Sequence, residues 1–270
     1  MCQSFDLPSD QPYHAVGFIP VVQPENIKIV HHMLLHICPY QNTPENDYNR
    51  FNVSHSQNCN SPLGNPMGGC TSLFFAWAIG GGPFYLPEEA GYLVGPTGIT
   101  TVVMEVHYNN VELLSGVTDH SGIDVILTKQ LRKNDAANMV LGDHLVSNQY
   151  EIPVDTFYRL ETECPELCTK DWPHEIHVFG DFLHMHAFGD SIWSTVYRDN
   201  NRVPGYLNRI EYWDYGLQQT TPMDIVLKPG DRIFTICNYD TSSATAPVRF
   251  GGNSFDEMCM EFIAYYPKLR

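Results

Sequence analysis

Two histidines that stand one residue apart, His184 and His186, are the side chains of this sequence best placed to do chemistry. Apolar residues precede them and β-branched residues follow them, which predicts a strand. Residues i and i+2 of a strand leave the same face, so the two imidazoles would stand side by side as a pair of metal ligands. The alternative is a strand with two partly buried, hydrogen-bonded histidines. The pair alone does not decide between these interpretations.

A second group of histidines lies in the first half of the chain. His31 and His32 follow the alternating segment 27–30, which predicts the start of their strand, and His107 lies in the strongly strand-like segment 100–108. Adjacent residues of a regular strand face opposite sides. His31 and His32 can therefore serve one metal only at a strand end, a bend or a bulge. The alternative is that one of the two points inward and the other outward.

A sulfur-bearing residue, Met258, lies beside Cys259 near the C-terminal end of the sequence. A methionine next to a cysteine in a β-rich chain is usually a core residue. A thioether combined with two imidazoles, however, is a soft ligand set that favours copper and helps to hold Cu(I). Zinc would more often recruit cysteine or a carboxylate.

The elements that must position these residues are predicted to be strands. The sequence has 20 Gly and 19 Pro, is rich in β-branched and aromatic residues, and shows few helical periods. Strand-like segments recur at the spacing of a β-sandwich. The polar residues 129–138 predict a crossing between domains. We therefore predict an all-β fold of two antiparallel β-sandwich domains in series, residues 1–130 and residues 131–270.

The charge and the hydropathy of the chain exclude several classes of partner. A formal net charge of −16 argues against nucleic acids and anionic membranes, because both select basic surfaces. The same charge is compatible with a small cationic ligand. No run of residues is apolar enough to span a membrane.

The cysteines predict disulfides in an oxidising compartment. All eight are scattered, without the paired Cys-x-x-Cys spacing of structural zinc sites. One sequon, Asn52-Val53-Ser54, is consistent with secretion and glycosylation. The N-terminal residues lack the basic start and apolar run of a signal peptide. We therefore expect a protein of the secretory pathway, in a vesicle lumen or outside the cell, whose sequence here begins part-way into a longer precursor.

The ligand-type residues lie in motifs whose order resembles the copper type II, ascorbate-dependent monooxygenases. This family includes amine-hydroxylating and peptide-hydroxylating branches, and the resemblance runs over both predicted domains, from about residue 1 to residue 270. The motifs are His31-His32-Met33, Glu105-Val106-His107-Tyr108, His184-Met185-His186 and Gly251-Gly252-Asn253-Ser254-Phe255-Asp256-Glu257-Met258-Cys259.

The resemblance implies two copper ions per chain, ascorbate as reductant and O2 as co-substrate. The first copper would be held by His31, His32 and His107, and the second by His184, His186 and Met258. The implied fold is two jelly-roll-like domains that face each other across a cleft. In the implied reaction O2 is activated at the thioether-containing centre, which makes its three ligands catalytic, while the all-histidine centre delivers an electron. A C–H bond of a small-molecule substrate is hydroxylated.

The resemblance also implies three disulfide bonds. They are Cys2–Cys59, Cys38–Cys70 and Cys237–Cys259. The first two would hold the long polar segment 39–69 to the strand that carries His31 and His32. Cys164 and Cys168 remain, either for partners beyond residue 270 or for each other.

The positions that select the substrate differ from those of the peptide-hydroxylating branch. That branch anchors a substrate carboxylate with an arginine and a tyrosine, where this sequence has Phe182 and Phe262. Because neither phenylalanine binds a carboxylate, a glycine-extended peptide is disfavoured. Glu105 resembles the amine-hydroxylating branch, whereas Val140 stands where that branch carries an acidic residue. We expect a small substrate that is an amine or aromatic.

Two other functions compete with the enzyme. A secreted copper-binding or interaction module would keep the fold without turnover, and a disulfide-bonded adhesion module would need neither metal. The adhesion module explains the cysteines and strands but not six ligand-type residues in family order. The filled ligand positions favour an enzyme over a module that has lost turnover.

Overall fold

The structure, a computed structural model, describes residues 1–38, 56, 58–59, 70, 72–110, 112–143, 151–251 and 256–269. The sequon Asn52-Val53-Ser54 and residues 252–255 of the last motif lie outside the described residues. The chain divides into two compact units, Met1–Asn138 and Met139–Arg270. A cleft between the domains stays a prediction. Within the described ranges, no helix has the length and apolar character needed to cross a membrane.

The first unit consists of two sheets. One has the order β1-β7-β3-β4, and the other has the order β5-β2-β6-β9 with β8 paired to β2. Among the described residues these strands pair antiparallel, except that β6 and β9 pair in parallel. The strands are β1 (Cys2–Asp6), β2 (Tyr13–Val21), β3 (Val30–Ile37), β4 (Ser72–Ala78), β5 (Phe84–Tyr85), β6 (Ala90–Val94), β7 (Thr101–Tyr108), β8 (Gly122–Thr128) and β9 (Asn134–Asp135).

The second unit also contains sheets joined by short connections. One sheet has the order β10-β20-β13-β17, another β12-β18-β14-β15 with β16 on β14, and a third pairs β11 with β19. Its strands are β10 (Ala137–Gly142), β11 (Glu151–Ile152), β12 (Phe157–Cys164), β13 (Ile176–His184), β14 (Gly189–Arg198), β15 (Asn201–Arg202), β16 (Asn208–Ile210), β17 (Thr221–Leu227), β18 (Arg232–Asp240), β19 (Val248–Arg249) and β20 (Met260–Tyr266).

Helical structure is confined to short pieces in the described residues. They are the single-turn helix α1 (Glu166–Thr169) and two 3-10 turns, Pro24–Asn26 and Tyr215–Leu217. The prediction of an all-β fold is confirmed.

The core of the first unit is aromatic. The Phe18 ring of β2 stacks on Phe75 at a centroid distance of 4.9 Å and meets Phe74 edge-on at 4.8 Å, both on β4. Phe74 in turn packs against Tyr92 of β6 at 4.9 Å. These contacts join the two sheets of the unit, and offset or edge-to-face pairs add to the stabilisation from burial alone.

The strand that carries His31 and His32 begins later than its alternating sequence predicts. Residues 27–29 form a turn, and β3 starts at Val30. Asn26 explains the turn, because its buried side chain donates from Nδ2 to Asp119 Oδ1 at 2.7 Å and its backbone carbonyl accepts from the Ile29 amide at 2.9 Å. Ile27 is left 57% exposed. One backbone turn bond and the long-range side-chain bonds of Asn26 thus override the alternating pattern.

The three disulfides that the resemblance implies are present in the structure. Their Cα–Cα distances are 5.0 Å for Cys2–Cys59, 4.0 Å for Cys38–Cys70 and 5.8 Å for Cys237–Cys259. The first two pack together with Val103 in one buried cluster. Cys164 and Cys168 are free thiols in this structure, so the alternative in which they bond each other is not what the fold contains.

Two carboxyl groups are fully buried inside the second unit. Asp181 of β13 accepts a hydrogen bond from Asn208 Nδ2 at 2.7 Å, and Glu261 of β20 accepts one from Thr235 Oγ1 at 2.9 Å and another from the Ser194 hydroxyl. The second oxygens of the two carboxyls, Asp181 Oδ2 and Glu261 Oε1, are buried with no hydrogen-bond partner among the residues that the structure describes. Burial first, and then the charge of Glu261, raises the pKa of Asp181 well above its ordinary value.

The raised pKa of Asp181 makes the stability of the second unit depend on pH. The folded protein keeps a proton that the unfolded chain releases above about pH 4, so the free energy of unfolding falls as the pH rises from there towards the raised pKa. Asp181→Asn reproduces the uncharged form, since its amide oxygen still accepts from Asn208 and its NH2 group replaces Oδ2, which has no partner in the described part of the second unit. We expect its thermal unfolding temperature, relative to the unsubstituted protein, to increase between pH 5 and pH 8.

The matched control is Glu163→Gln, which removes a half-exposed carboxylate paired with Arg232 at 2.7 Å. Its unfolding temperature should shift little with pH relative to the unsubstituted protein, because a surface ion pair contributes at most about 1 kcal/mol. An Asp181→Asn protein whose temperature difference is the same at both pH values would show that the pair does not hold a proton.

Candidate metal centres

The first candidate centre depends on an irregularity in β3. Val30 lies opposite Tyr108 and His32 lies opposite His107, so that His31 is an additional residue on β3 with no counterpart on β7. Such a β-bulge interrupts the alternation of the strand and turns two adjacent side chains to one side. The bulge is the feature that His31 and His32 need in order to act together.

The three imidazoles of this centre lie close together. The ring centroids are 5.3 Å apart for His31 and His32, 5.4 Å for His31 and His107, and 4.7 Å for His32 and His107. Imidazole nitrogens bind first-row metals at about 2 Å, which places the ring centres of two ligands on one ion roughly 4.5–5.5 Å apart. The Nδ1 atoms of His31 and His32 approach to 3.2 Å. The ring spacing is that of a three-histidine metal site, and binding of one ion by all three rings stays a prediction.

The electrostatics of this cluster favour neutral rings. Burial lowers the pKa of His32 to about 3, with a further contribution from His107 and His31. Burial also lowers the pKa of His107, assisted by His31. A metal binds the neutral form of imidazole, so no proton has to leave these two rings when an ion arrives.

The end of β7 is fixed by hydrogen bonds next to His107. The Tyr108 hydroxyl donates to Asp119 Oδ2 at 2.9 Å, and Asp119 Oδ1 accepts from Asn26 and from the Ser121 hydroxyl. The Asn109 amide donates to the Ile29 carbonyl at 2.8 Å, which closes the same end of β3 onto β7. These contacts hold the two histidine-bearing strand ends in register.

The second candidate centre lies where β13 ends. The strand ends at His184, whereas the sequence predicts that it continues through His186. The two rings nevertheless lie 5.0 Å apart and nearly perpendicular, at 84°. Met185 between them is fully buried in the core. The i, i+2 relation is thus kept although His186 lies in the loop that follows the strand.

Hydrogen bonds select the same ring nitrogen of both histidines for a metal. His184 Nδ1 lies 2.5 Å from Gln218 Oε1, and the Gln218 amide is oriented by its donation to the Tyr215 carbonyl at 2.9 Å. His186 Nδ1 lies 2.8 Å from the Asp256 carbonyl. Both oxygens only accept, so both Nδ1 atoms carry the proton and each Nε2 carries the lone pair that a metal needs.

The loop that carries His186 is fixed by buried groups. Glu257 accepts the amides of His186 at 2.8 Å and of Phe188 at 2.6 Å, and the Trp213 indole donates to the His186 carbonyl at 2.9 Å. Burial raises the pKa of Glu257 to about 7, and its backbone hydrogen bonds act in the opposite direction. Backbone and ring of His186 are therefore all held by hydrogen bonds.

Met258 is half-buried and directly follows Glu257 in the chain. Its carbonyl accepts from the Tyr239 hydroxyl at 2.8 Å, and the Cys237–Cys259 disulfide ties the next residue to β18. These contacts hold its backbone next to the segment that contacts His186. Placement of its sulfur between His184 and His186 stays a prediction.

One further group of ligand-type atoms lies together in the described part of the chain. The sulfurs of Cys2 and Cys59 and a carboxylate oxygen of Glu105 lie within 4.8 Å of one another. The two sulfurs are bonded to each other, so neither is a thiolate ligand. This group is a disulfide beside an acidic residue.

The supporting residues were not identified from the sequence. Glu257 lies inside the last family motif and directly before Met258, so its position was a signal that sequence reasoning did not use. Gln218 is 34 residues from His184 and has no motif around it. Only the folded chain brings Gln218 to its histidine.

Two protein-family models match the chain, one in each half. The model described as copper type II ascorbate-dependent monooxygenase, N-terminal domain, matches residues 1–115, and that of the C-terminal domain matches residues 134–270.

Curated relatives match almost the whole chain. Tyramine beta-hydroxylase of Caenorhabditis briggsae is 38% identical over 94% of this chain, dopamine beta-hydroxylase of Equus caballus 31% over 99%, and DBH-like monooxygenase protein 1 of Gallus gallus 30% over 99%. The matched part is 43%, 44% and 44% of the respective relatives. The chain therefore spans less than half the length of these relatives.

The first centre can be tested by removing the histidine on β7. We expect His107→Ala to bind one copper ion fewer per chain than the unsubstituted protein, because two imidazoles remain where three met. Copper content after dialysis, measured by atomic absorption, gives the result.

His120→Ala is the matched control, since His120 is an exposed histidine of the same unit. It should keep the full copper content. Equal copper content in His107→Ala and the unsubstituted protein would remove His107 from the ligand set.

Proposed function

The chain belongs to the copper type II ascorbate-dependent monooxygenase family, and from this premise we propose that it forms the catalytic part of a two-copper enzyme. The enzyme would hydroxylate a C–H bond of a small amine with O2 and ascorbate. The observation that carries the proposal is the convergence of His31, His32 and His107 from a bulged strand and its neighbour, with ring centroids no more than 5.4 Å apart.

The donor sets of the two centres are chemically different. In the proposal His31, His32 and His107 hold one copper, and His184, His186 and Met258 hold the other. Three imidazoles tolerate Cu(II), whereas a thioether favours Cu(I). Bound copper supplies the one-electron chemistry that reduces O2 and oxidises the substrate, with ascorbate as the source of electrons.

The residues of the chain contribute position and protonation state. Gln218 and the Asp256 carbonyl keep the proton on Nδ1 of His184 and His186, so that Nε2 of each ring is the metal-binding nitrogen. The buried Met185 anchors the short segment between the two rings in the core. Residues locked in this way keep their geometry when ligands bind, which reduces the reorganisation that a reaction requires.

The substrate we infer is a small aromatic amine. Phe182 and Phe262 face each other across β13 and β20 with centroids 5.7 Å apart, and Phe182 stacks on the His184 ring at 5.8 Å. These apolar residues occupy the positions where the peptide-hydroxylating branch binds a carboxylate. A net charge of −16 attracts a protonated amine and repels an anionic peptide end.

The cellular location that we propose is the secretory pathway or the extracellular space. Three disulfides support an oxidising compartment, because cytosolic thiols are kept reduced. Two of the three lie in one cluster of the first unit, where they tie residues 59 and 70 to the strand region of the histidines.

Oxygen uptake separates the enzyme from a copper-binding module. The assay measures O2 consumption with ascorbate in the presence of phenylethylamine, tyramine, dopamine or a glycine-extended peptide, beside copper content. Substrate-coupled uptake with an amine and two bound coppers supports the proposal. Two tightly bound coppers without uptake for any of these compounds would favour the module.

Met258→Ile tests the thioether. Isoleucine keeps the bulk and hydrophobicity of methionine, so the fold should survive at a cost below about 1.5 kcal/mol. Amine-coupled oxygen uptake should fall by orders of magnitude, because the second copper loses the ligand that favours its reduced state. The measurements are the uptake rate and the thermal unfolding temperature.

Met139→Ile is the matched control, a half-buried methionine on β10 that belongs to no ligand set. Its uptake rate should equal that of the unsubstituted protein. If Met258→Ile turns over at the original rate with both coppers bound, Met258 is a core residue and the second donor set is wrong.

A further inference from the structure

Glu257 joins the two segments that carry the ligands of the second centre. We propose that Glu257 is a positioning residue: its carboxylate fixes His186 relative to Met258 by accepting backbone N–H groups from both segments. The inference rests on the proposed second copper centre and assigns to it a residue that touches neither metal nor substrate.

The hydrogen bonds of this carboxylate are shared between its two oxygens. Oε2 accepts the His186 amide at 2.8 Å and the Met258 amide at 3.3 Å, and Oε1 accepts the Phe188 amide at 2.6 Å. The side chain is fully buried. One oxygen atom is thus bonded to the backbone of two proposed ligands that lie 72 residues apart in the sequence.

The backbone of Glu257 is itself held by hydrogen bonds. The Glu257 amide donates to the Arg249 carbonyl at 2.7 Å, and its carbonyl accepts from the Gly251 amide at 3.1 Å. An isolated β-bridge pairs Glu257 with Phe250, which is buried in the core. The position of the carboxylate is therefore set by backbone that does not belong to the His186 loop.

The His186 loop needs such an anchor because it lies outside the strand ladder. β13 ends at His184 and β14 begins at Gly189, so the amides of His186 and Phe188 have no strand partner. A buried amide without a partner destabilises the fold. Glu257 satisfies both, and it also determines where the loop lies.

The chemistry of the site requires a carboxylate and not an amide. A carboxylate accepts at both oxygens, whereas glutamine accepts at one and turns its NH2 group towards an N–H donor. Among the described residues no lysine or arginine forms an ion pair with Glu257. Three backbone N–H groups hold this carboxyl group, so a change in its hydrogen bonds also changes its position.

The experiment compares Glu257→Gln and Glu257→Asp with the unsubstituted protein. Copper affinity of each centre is measured by competition with a Cu(I) chelator, sulfur ligation by X-ray absorption, and amide hydrogen exchange of residues 186 and 188 in the copper-free protein. We expect Glu257→Gln to weaken copper at the second centre by about 10–100-fold, to weaken the copper–sulfur signal and to accelerate exchange at both amides. The first centre should be unaffected. Glu257→Asp keeps the charge but shortens the reach, so its affinity should lie between the other two.

Glu261→Gln is the matched control. Glu261 has the same chemistry and is equally buried, but it accepts from Ser194 and Thr235 and from neither ligand segment. Its unfolding temperature should change while copper affinity and exchange at residues 186 and 188 stay unchanged. Equal weakening of the second centre by Glu261→Gln would mean that any loosening of the core has this effect, and would overturn the proposal.

The outcome is independent of turnover. A protein that binds copper at both centres but shows no turnover would contradict the proposed enzyme activity. The copper affinities of the Glu257 variants would still decide the role of Glu257. If the unsubstituted protein binds no copper at the second centre, the proposed function fails there. Amide hydrogen exchange at residues 186 and 188 that is unchanged in Glu257→Gln would overturn the anchoring role as well. If Glu257→Gln does not fold, the affinity of Glu257→Asp decides, and an unchanged value overturns the proposal.

Discussion

The alternation of side chains along a β-strand is the constraint on which both candidate centres depend. A strand offers every second side chain to one face, and at that spacing a single strand supplies few ligands to one metal. In the first unit the extra residue at His31 interrupts the alternation, and His107 joins from the neighbouring strand. In the second unit the strand ends after His184, and His186 is presented by a loop. Both the bulge at His31 and the strand end at His184 give up ladder hydrogen bonds next to the candidate ligands.

The lost ladder bonds are replaced by buried side-chain acceptors in the second unit. Glu257 accepts hydrogen bonds from the backbone amides of the His186 loop. Gln218 and the backbone carbonyl of Asp256 accept hydrogen bonds from the ring N–H groups of His184 and His186. Buried polar groups of this kind are stable only when each has a partner, so the network has few alternative arrangements. The geometry of the β-framework is therefore specific at the place where the candidate ligands are presented.

The sequence predicted what depends on local pattern and on family motifs. The strand at 100–108 is rich in β-branched residues and occurs as β7, Thr101–Tyr108. The adjacent histidines required an irregularity, and β3 has one. The prediction of a strand over residues 27–29 failed, because the side chain of Asn26 forms hydrogen bonds with residues far along the chain. These bonds stabilise a turn where the alternating pattern predicts a strand. Contacts such as His184 with Gln218, or Asp181 with Glu261, join residues that no local pattern relates.

The disulfide at Cys259 has a consequence for the order in which the second unit matures. In the reduced chain a free thiol would lie directly beside Met258, and a thiolate is a better ligand for Cu(I) than a thioether. Such a thiol would compete for the ion and could hold it in the wrong geometry. Bonding to Cys237 removes this competitor and leaves the thioether as the soft donor of that segment. For the proposed centre, oxidation of the chain before loading with metal keeps the thioether as the soft donor, which ties correct metallation to the compartment in which the protein folds.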